Sequence, residues 1–249
     1  MAAEALVRVW RGDADGGAFE EYRVPYEEGM VLLDVIHTVQ ATQAGNLAVR
    51  WNCKAGKCGS CGAEVNGRPR LMCMTRMNLF PAGEPITVAP MKTFPLIKDL
   101  ATDVSFNYEK ARRVPAFRPK SPEPDGAHRM MQEDIDRVQE FHKCIECFLC
   151  QNVCHVIRDH SVNKRRFAGP RVFVRTAALE MHPLDQDDRR RLLREDLGLG
   201  YCNITKCCTE VCPEQIKITD NAIIPLKERV VDQSYDPLLW LARKLTGRK

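Results

Sequence analysis

The chain has no run approaching the roughly 18 uninterrupted apolar residues that a membrane-spanning helix needs. Its first residues, Met1 to Trp10, include Glu4 and Arg8 and no apolar core of signal-peptide length, so export is not expected. No GxGxxG and no P-loop occurs, which leaves no apparent flavin or nucleotide site. Ser, His and Asp form no motif for nucleophilic catalysis. His128, His142, His160 and His182 are scattered, without the paired spacing that suits a metal. His37 falls on an apolar helical stripe and reads as a packed or capped side chain. No repeat of solenoid period is present. Net charge is only +4, too mild to point to nucleic acid. No catalytic residue is therefore expected in this chain.

What remains is an ordinary globular composition, 44% apolar and 28% charged over 249 residues, enough for one or two domains. Basic residues gather in three groups: Arg112, Arg113, Arg118 and Lys120; Lys164, Arg165, Arg166, Arg171 and Arg175; Arg189–Arg191 with Arg194. Each group alone reads as a solvated face. Together they suit an acidic protein partner or anionic lipid head groups. Twelve cysteines are the unusual feature. In the reducing compartment expected here they rarely pair as structural disulfides, so metal is the default reading.

The pattern changes near residues 105–127. Before it, Leu6–Trp10 and Tyr22–Tyr26 are rich in strand formers, and Val31, Leu32, Val35, Ile36 and Val39 recur at helical spacing. Asn66–Gly67 predicts a type I′ hairpin turn between Ala63–Val65 and Arg70–Cys73, and Pro85–Val88 is expected to close the sheet. A turn-rich connector of about 106–127 carries Pro115, Pro119, Pro122 and Pro124. Beyond it, Met131, Ile135 and Val138 predict a helix face towards Lys143. Asp185 or Asp187 is expected to open a helix through Leu197, and Thr219 or Asp220 another through Val231. Pro225 is expected to kink that last helix or delay its start. The division is 1–105 and 106–249.

The cysteines carry the function. Cys53-x4-Cys58-x2-Cys61 followed by Cys73 has the plant-type [2Fe–2S] spacing. A tight loop must present three thiolates from one side, and Gly56, Gly59 and Gly62 let the backbone wrap closely and aim N–H groups at sulfur. A four-thiolate zinc site is the bland alternative, but zinc usually takes two short C-x2-4-C knuckles.

Further on, Cys144-x2-Cys147-x2-Cys150-x3-Cys154 is the bacterial ferredoxin run, with His155 in place of the usual proline. Cys202-x5-Cys208-x3-Cys212-Pro213 follows. In two-cluster ferredoxins the fourth cysteine of each run serves the other cluster. That swap gives Cys144, Cys147, Cys150 and Cys212 to a [4Fe–4S] cluster, and Cys154, Cys202 and Cys208 to another. The missing fourth ligand of the latter should lie midway between Cys202 and Cys208, where Thr205 offers no thiolate, so a [3Fe–4S] cluster is expected there, at a raised potential. Cys207, out of register beside Cys208, is expected to point elsewhere as a free buried thiol. A register slip that lets it complete a second [4Fe–4S] cluster is the alternative.

In these motifs the chain resembles the iron–sulfur subunit of succinate dehydrogenase and fumarate reductase, over essentially residues 5–235. The resemblance implies an α+β protein, with an N-terminal β-grasp ferredoxin domain followed by a helical ferredoxin domain. It implies electrons passing from an FAD-containing flavoprotein through [2Fe–2S], [4Fe–4S] and [3Fe–4S] clusters to a quinone at a cytochrome b membrane anchor. Location on the cytoplasmic face of a bacterial plasma membrane is expected.

Family members that reduce ubiquinone carry proline, tryptophan and histidine where this chain has His155, Asp159 and Asn203. The wording Cys144-Ile145-Glu146-Cys147 is instead similar to the menaquinone branch with a single dihaem anchor. The C-terminal stretch Leu238, Leu239, Trp240, Leu241 and Leu245, with Arg243, Lys244, Arg248 and Lys249, reads as basic and amphipathic, for the membrane surface or for packing on the flavoprotein or the chain's own core. Three rivals stand beside the relay: the same machine running as a fumarate reductase, a free-standing ferredoxin, and a structural zinc module.

Overall fold

The computed structural model describes residues 3–238 and Leu241. Strands β1 (Ala3–Asp13) and β2 (Gly16–Tyr26) form an antiparallel hairpin in register from Ala3↔Tyr26 to Asp13↔Gly16. Alternation sends Ala5, Val7, Val9, Tyr22 and Val24 to one face and leaves the opposite face wet. Helix α1 (Leu32–Thr42) covers that face with Leu32, Leu33, Val35, Ile36 and Val39, all buried. Its start is fixed by Asp34, whose carboxylate accepts the Val31 N–H at 3.1 Å.

Strands β3 (Gly62–Val65) and β4 (Arg68–Leu71) follow, joined through Asn66 at φ 47° and Gly67 at φ 73°. Those two left-handed residues make the type I′ turn that Asn–Gly predicts. Strand β5 (Ile86–Ala89) enters the middle of the sheet, parallel to β1 and antiparallel to β3, giving the order β2-β1-β5-β3-β4. A mixed sheet with one helix across it is the β-grasp arrangement. The ribbon β6 (Leu96–Lys98) and β7 (Ala101–Thr102) is tied on by buried Asp99 between them. Its carboxylate accepts N–H bonds from Ala48 (2.8 Å), Gly12 (3.0 Å) and Arg11 Nε (3.1 Å). Burial raises its pKa, but these donors outweigh burial and hold it below the ordinary carboxylate value.

The connector is not irregular throughout. It opens with helix α2 (Ser105–Ala111), whose Phe106 packs against both hydrophobic cores. Helix α3 (Gln132–Gln139) continues into a 3-10 turn to Lys143, as expected. Met131 lies before it, 66% exposed, and of the predicted face only Val138 is fully buried.

Helices α4 (Leu149–Val153) and α5 (His155–Arg158) then carry the first cysteine run. Helix α6 (Pro170–Glu180) runs through the second core, buried at Pro170, Arg171, Val172, Phe173, Val174, Thr176 and Ala177. Helix α7 spans only Arg190–Glu195. Asp185 does not open it, because its carboxylate is buried against Arg189 at 2.9 Å; Asp188 accepts the Arg190 N–H instead. Arg189, 1% exposed, donates to the carbonyls of Pro115 and Ala116 and so pins the connector. Helix α8 is Cys207–Glu210. A π-helical turn, Ile218–Ile223, then precedes helix α9 (Ile224–Tyr235), which starts with Pro225 in its first turn, as proline's missing N–H requires.

Two basic residues expected on solvated faces, Arg171 and Arg189, are thus buried. Except for Leu238 and Leu241, the basic C-terminal stretch lies outside the described residues.

Candidate metal centres

None of the twelve cysteines is paired in a disulfide. Cys53, Cys58 and Cys61 lie on the loop between α1 and β3, and Cys73 on the 3-10 turn after β4. The Cys53 sulfur accepts N–H bonds from Ala55 (3.4 Å) and Lys57 (3.3 Å), and buried Cys61 accepts one from Cys73 (3.5 Å). Burial raises the Cys58 thiol, but the N–H groups of Cys53 and Ser60 and the Ser60 hydroxyl outweigh it, bringing the pKa down to about 6. Burial pushes Cys61 up to about 12, with Cys73 and Cys58 as its close neighbours. The four sulfurs form one group with backbone donors aimed at them, which suits a thiolate-bound [2Fe–2S] cluster.

The second group lines one small cavity, in which Cys144, Cys147, Cys150 and Cys212 meet among Ile145, Val174, Ile216 and Ile218. Burial pushes the Cys147 thiol up to about 12 and raises Cys150 well above its ordinary value, and both feel Cys144 and Cys212. Two buried and two half-buried cysteines around one largely apolar cavity suit a metal cluster, which holds them as thiolates.

The third group is Cys154, Cys202, Cys207 and Cys208. Burial takes Cys154 up to about 12 and Cys208 to about 11, each with Cys207 and Cys202 among its neighbours. The fourth cysteine of each run therefore faces the other run's group.

The two loops share a backbone. Cys144, Cys147, Cys150 and Cys154 correspond in spacing to Cys202, Thr205, Cys208 and Cys212. Left-handed residues flank Cys147 at Glu146 (φ 56°) and Phe148 (φ 60°), and flank Thr205 at Ile204 (φ 63°) and Lys206 (φ 62°). Ile204 is β-branched, and that conformation is strained for it. Thr205 thus stands in the backbone place of a ligand.

Cys207 does not point away, contrary to expectation. Its sulfur lies 3.4 Å from Thr205 Oγ1, which is 3.5 Å from Nδ1 of half-buried His155. Helix α8 begins at Cys207, and its first turn swings that side chain back towards the loop.

The groups are ordered in space. Gly59, between Cys58 and Cys61, takes φ +70°, and a Cβ there would lie 2.5 Å from the Cα of Cys147. Only glycine permits that approach between the first group's loop and the second group. Cys150 in turn feels Cys208 of the third. Across the same junction, Glu64 of β3 accepts from Asn152 Nδ2 at 2.9 Å and pairs with Arg158 at 3.4 Å, while Thr93 donates two hydrogen bonds to Asn152.

Sequence reasoning missed Arg171. It is 6% exposed, lines the second cavity and pairs with Glu146. His37 meets its expectation as a packed side chain, edge-on to Trp51 with ring centroids 4.8 Å apart.

These features define an iron–sulfur protein. Residues 6–109 match the family described as "2Fe-2S iron-sulfur cluster binding domain", and residues 140–216 the "4Fe-4S dicluster domain". The chain is 32% identical to the fumarate reductase iron-sulfur subunit of Mycobacterium tuberculosis, over 80% of each chain. It is 26% identical to the succinate dehydrogenase iron-sulfur subunit of Bacillus subtilis, over 80% of this chain and 81% of that one. A chain of the Mycobacterium smegmatis Sdh1 complex in the apo form superposes with a TM-score of 0.92 at 64% identity, covering 95% of this chain and 99% of that one. The chain belongs to the family of succinate dehydrogenase and fumarate reductase iron–sulfur subunits.

Proposed function

We propose that this chain is the electron-transfer subunit of a succinate:quinone oxidoreductase, with no substrate site of its own. Its ligand sets are Cys53, Cys58, Cys61 and Cys73 for [2Fe–2S]; Cys144, Cys147, Cys150 and Cys212 for [4Fe–4S]; and Cys154, Cys202 and Cys208 for [3Fe–4S]. When bound, the clusters supply one-electron redox chemistry that no side chain here has. The chain's own work is to bring the sites close, bury them and donate N–H bonds to sulfur.

The single observation that carries the reading is the spatial order of the three thiol groups, which meet at Gly59–Cys147 and across the buried core that Cys150 and Cys208 share. The three-iron assignment rests on Thr205 in the backbone place of Cys147. Residues 1–105 act as the unit nearer the flavoprotein, and 106–249, entered through the connector, as the unit nearer the anchor.

The partners are an FAD-containing flavoprotein and a cytochrome b anchor on the cytoplasmic face of a bacterial plasma membrane, within the respiratory chain and tricarboxylic acid cycle. His155, Asp159 and Asn203 favour menaquinone over ubiquinone.

Purification of the tagged chain from membranes tests the reading. A flavoprotein and a haem protein should co-elute, and succinate should bleach the iron–sulfur absorption. A colourless zinc protein, or a brown protein recovered alone from cytosol, would refute it. The opposite direction, fumarate reduction, is favoured by the M. tuberculosis relative's name, and the ratio of the two rates in the purified complex decides between them.

A further inference from the structure

The third thiol group holds one more sulfur than a three-iron cluster uses, and that sulfur is on the open side. With Cys154, Cys202 and Cys208 as ligands, the vacant corner is the one that Thr205 would serve. Beside Thr205 Oγ1 stand Cys207 Sγ at 3.4 Å and His155 Nδ1 at 3.5 Å. Cys207 opens helix α8 directly before Cys208, and its sulfur turns to the Thr205 side of the group, so it is not a stray thiol. Ile204, Thr205 and Lys206 are exposed, which leaves an entry path to this corner from outside the chain.

We propose that Cys207 is a reserve iron ligand, which lets the third cluster take up a fourth, ferrous iron and release it again. The proposal rests on the three-iron reading above and deepens it. In the uptake step, a reduced [3Fe–4S] cluster of core charge zero binds Fe²⁺ and becomes a [4Fe–4S] cluster of core charge 2+. One iron–sulfur bond forms to Cys207, whose thiol proton passes to water. No electron is exchanged with the incoming iron, so ferrous ion is the only co-reactant.

Iron–sulfur corners are held by soft thiolate, and the hydroxyl of Thr205 is a poor substitute. The strained left-handed residues Ile204 and Lys206 hold Thr205 facing the corner, and the first turn of α8 brings Cys207 to the same place. The consequence is a switch between two potentials at the last site of the relay, because nuclearity and ligation set the potential.

The test uses the purified membrane complex, wild type and Cys207→Ser, reduced without oxygen, incubated with ⁵⁷Fe²⁺, desalted and gently reoxidised. Electron paramagnetic resonance follows the oxidised three-iron signal, and Mössbauer spectroscopy counts added iron. Wild type should lose the three-iron signal and gain one ⁵⁷Fe per chain in a four-iron environment. Cys207→Ser should keep the signal and gain none. Thr205→Cys in the Cys207→Ser background should restore uptake, which shows that the serine variant is folded and its corner intact. Should the untreated wild type already be silent when oxidised, with the signal appearing in Cys207→Ser, Cys207 is a permanent ligand, and both its reserve role and the three-iron reading are overturned. Uptake that survives in Cys207→Ser, or a signal that iron changes in neither protein, overturns the role of Cys207 alone. A three-iron signal absent from both proteins overturns the three-iron reading itself.

Discussion

The two halves of the molecule use cysteine differently. In the sheet half, the core under α1 is aliphatic: Val7, Val9, Val24, Leu32, Leu33, Val35, Ile36 and Val39 are buried. Of the four cysteines there, Cys61 and Cys73 border that core, while Cys53 is exposed and Cys58 half-buried. At roughly 1.5–3 kcal/mol per buried side chain, the five residues of α1 alone contribute on the order of 10 kcal/mol. In the helical half, Cys150, Cys154 and Cys208 are themselves core residues among Phe141, Phe167, Phe173 and Ile218. Its short helices α4, α5 and α8 carry or adjoin Cys150, Cys154, Cys207 and Cys208. One half holds a single thiol group; the other brings two together in and beside its core.

Removing metal is the strongest way to break this comparison. Chelation and oxidative stripping of the full chain should abolish amide-exchange protection in α4, α6 and α8 while β1, β2 and α1 stay protected, because metal binding is folding free energy where ligands form the core. Equal loss in both halves would show that the sheet depends on its cluster too.

The next largest effect is at Arg189. Arg189→Ala strands the Asp185 carboxylate and frees the connector carbonyls of Pro115 and Ala116. A cost of about 3–5 kcal/mol is expected, seen as a shift of the unfolding midpoint of the helical half in denaturant. No shift would mean that water replaces the guanidinium.

At the junction, Gly59→Ala pays roughly 1–2 kcal/mol for its left-handed backbone, and the Cys147 backbone must also retreat. The expected result is slower electron transfer from the first to the second site in flash or rapid-freeze kinetics, with both clusters still assembled. An unchanged rate would mean that the halves do not touch there in the working complex.

The smallest effect concerns Asp99. Its folded pKa lies below the ordinary value, so its stabilisation is complete above that value and is lost as pH falls through the folded one. Asp99→Asn should therefore flatten the acid limb of the sheet half's stability curve and leave the helical half unchanged.

Much of this was legible locally. The cysteine spacings, the Asn66–Gly67 turn and the α1 stripe are short-range signals, and each is present in the fold. Helix α6 escaped notice because it is buried almost all round, so no one-sided apolar pattern marks it. Arg171 reads as surface charge, since nothing nearby in sequence announces its partner Glu146, which folding brings from the first cysteine run. The direction of Cys207 was misread because it depends on where α8 begins, and that is set by left-handed Lys206, a residue type with no preference for the conformation.

The central claim is a relay through three clusters, the last one open at Thr205. It is tested most directly by electron paramagnetic resonance on the purified complex, first oxidised and then treated with succinate. The account predicts a three-iron signal in the oxidised sample, its loss on reduction, and a [2Fe–2S] signal after succinate. Zinc in place of iron, or iron signals that succinate leaves unchanged, would contradict it.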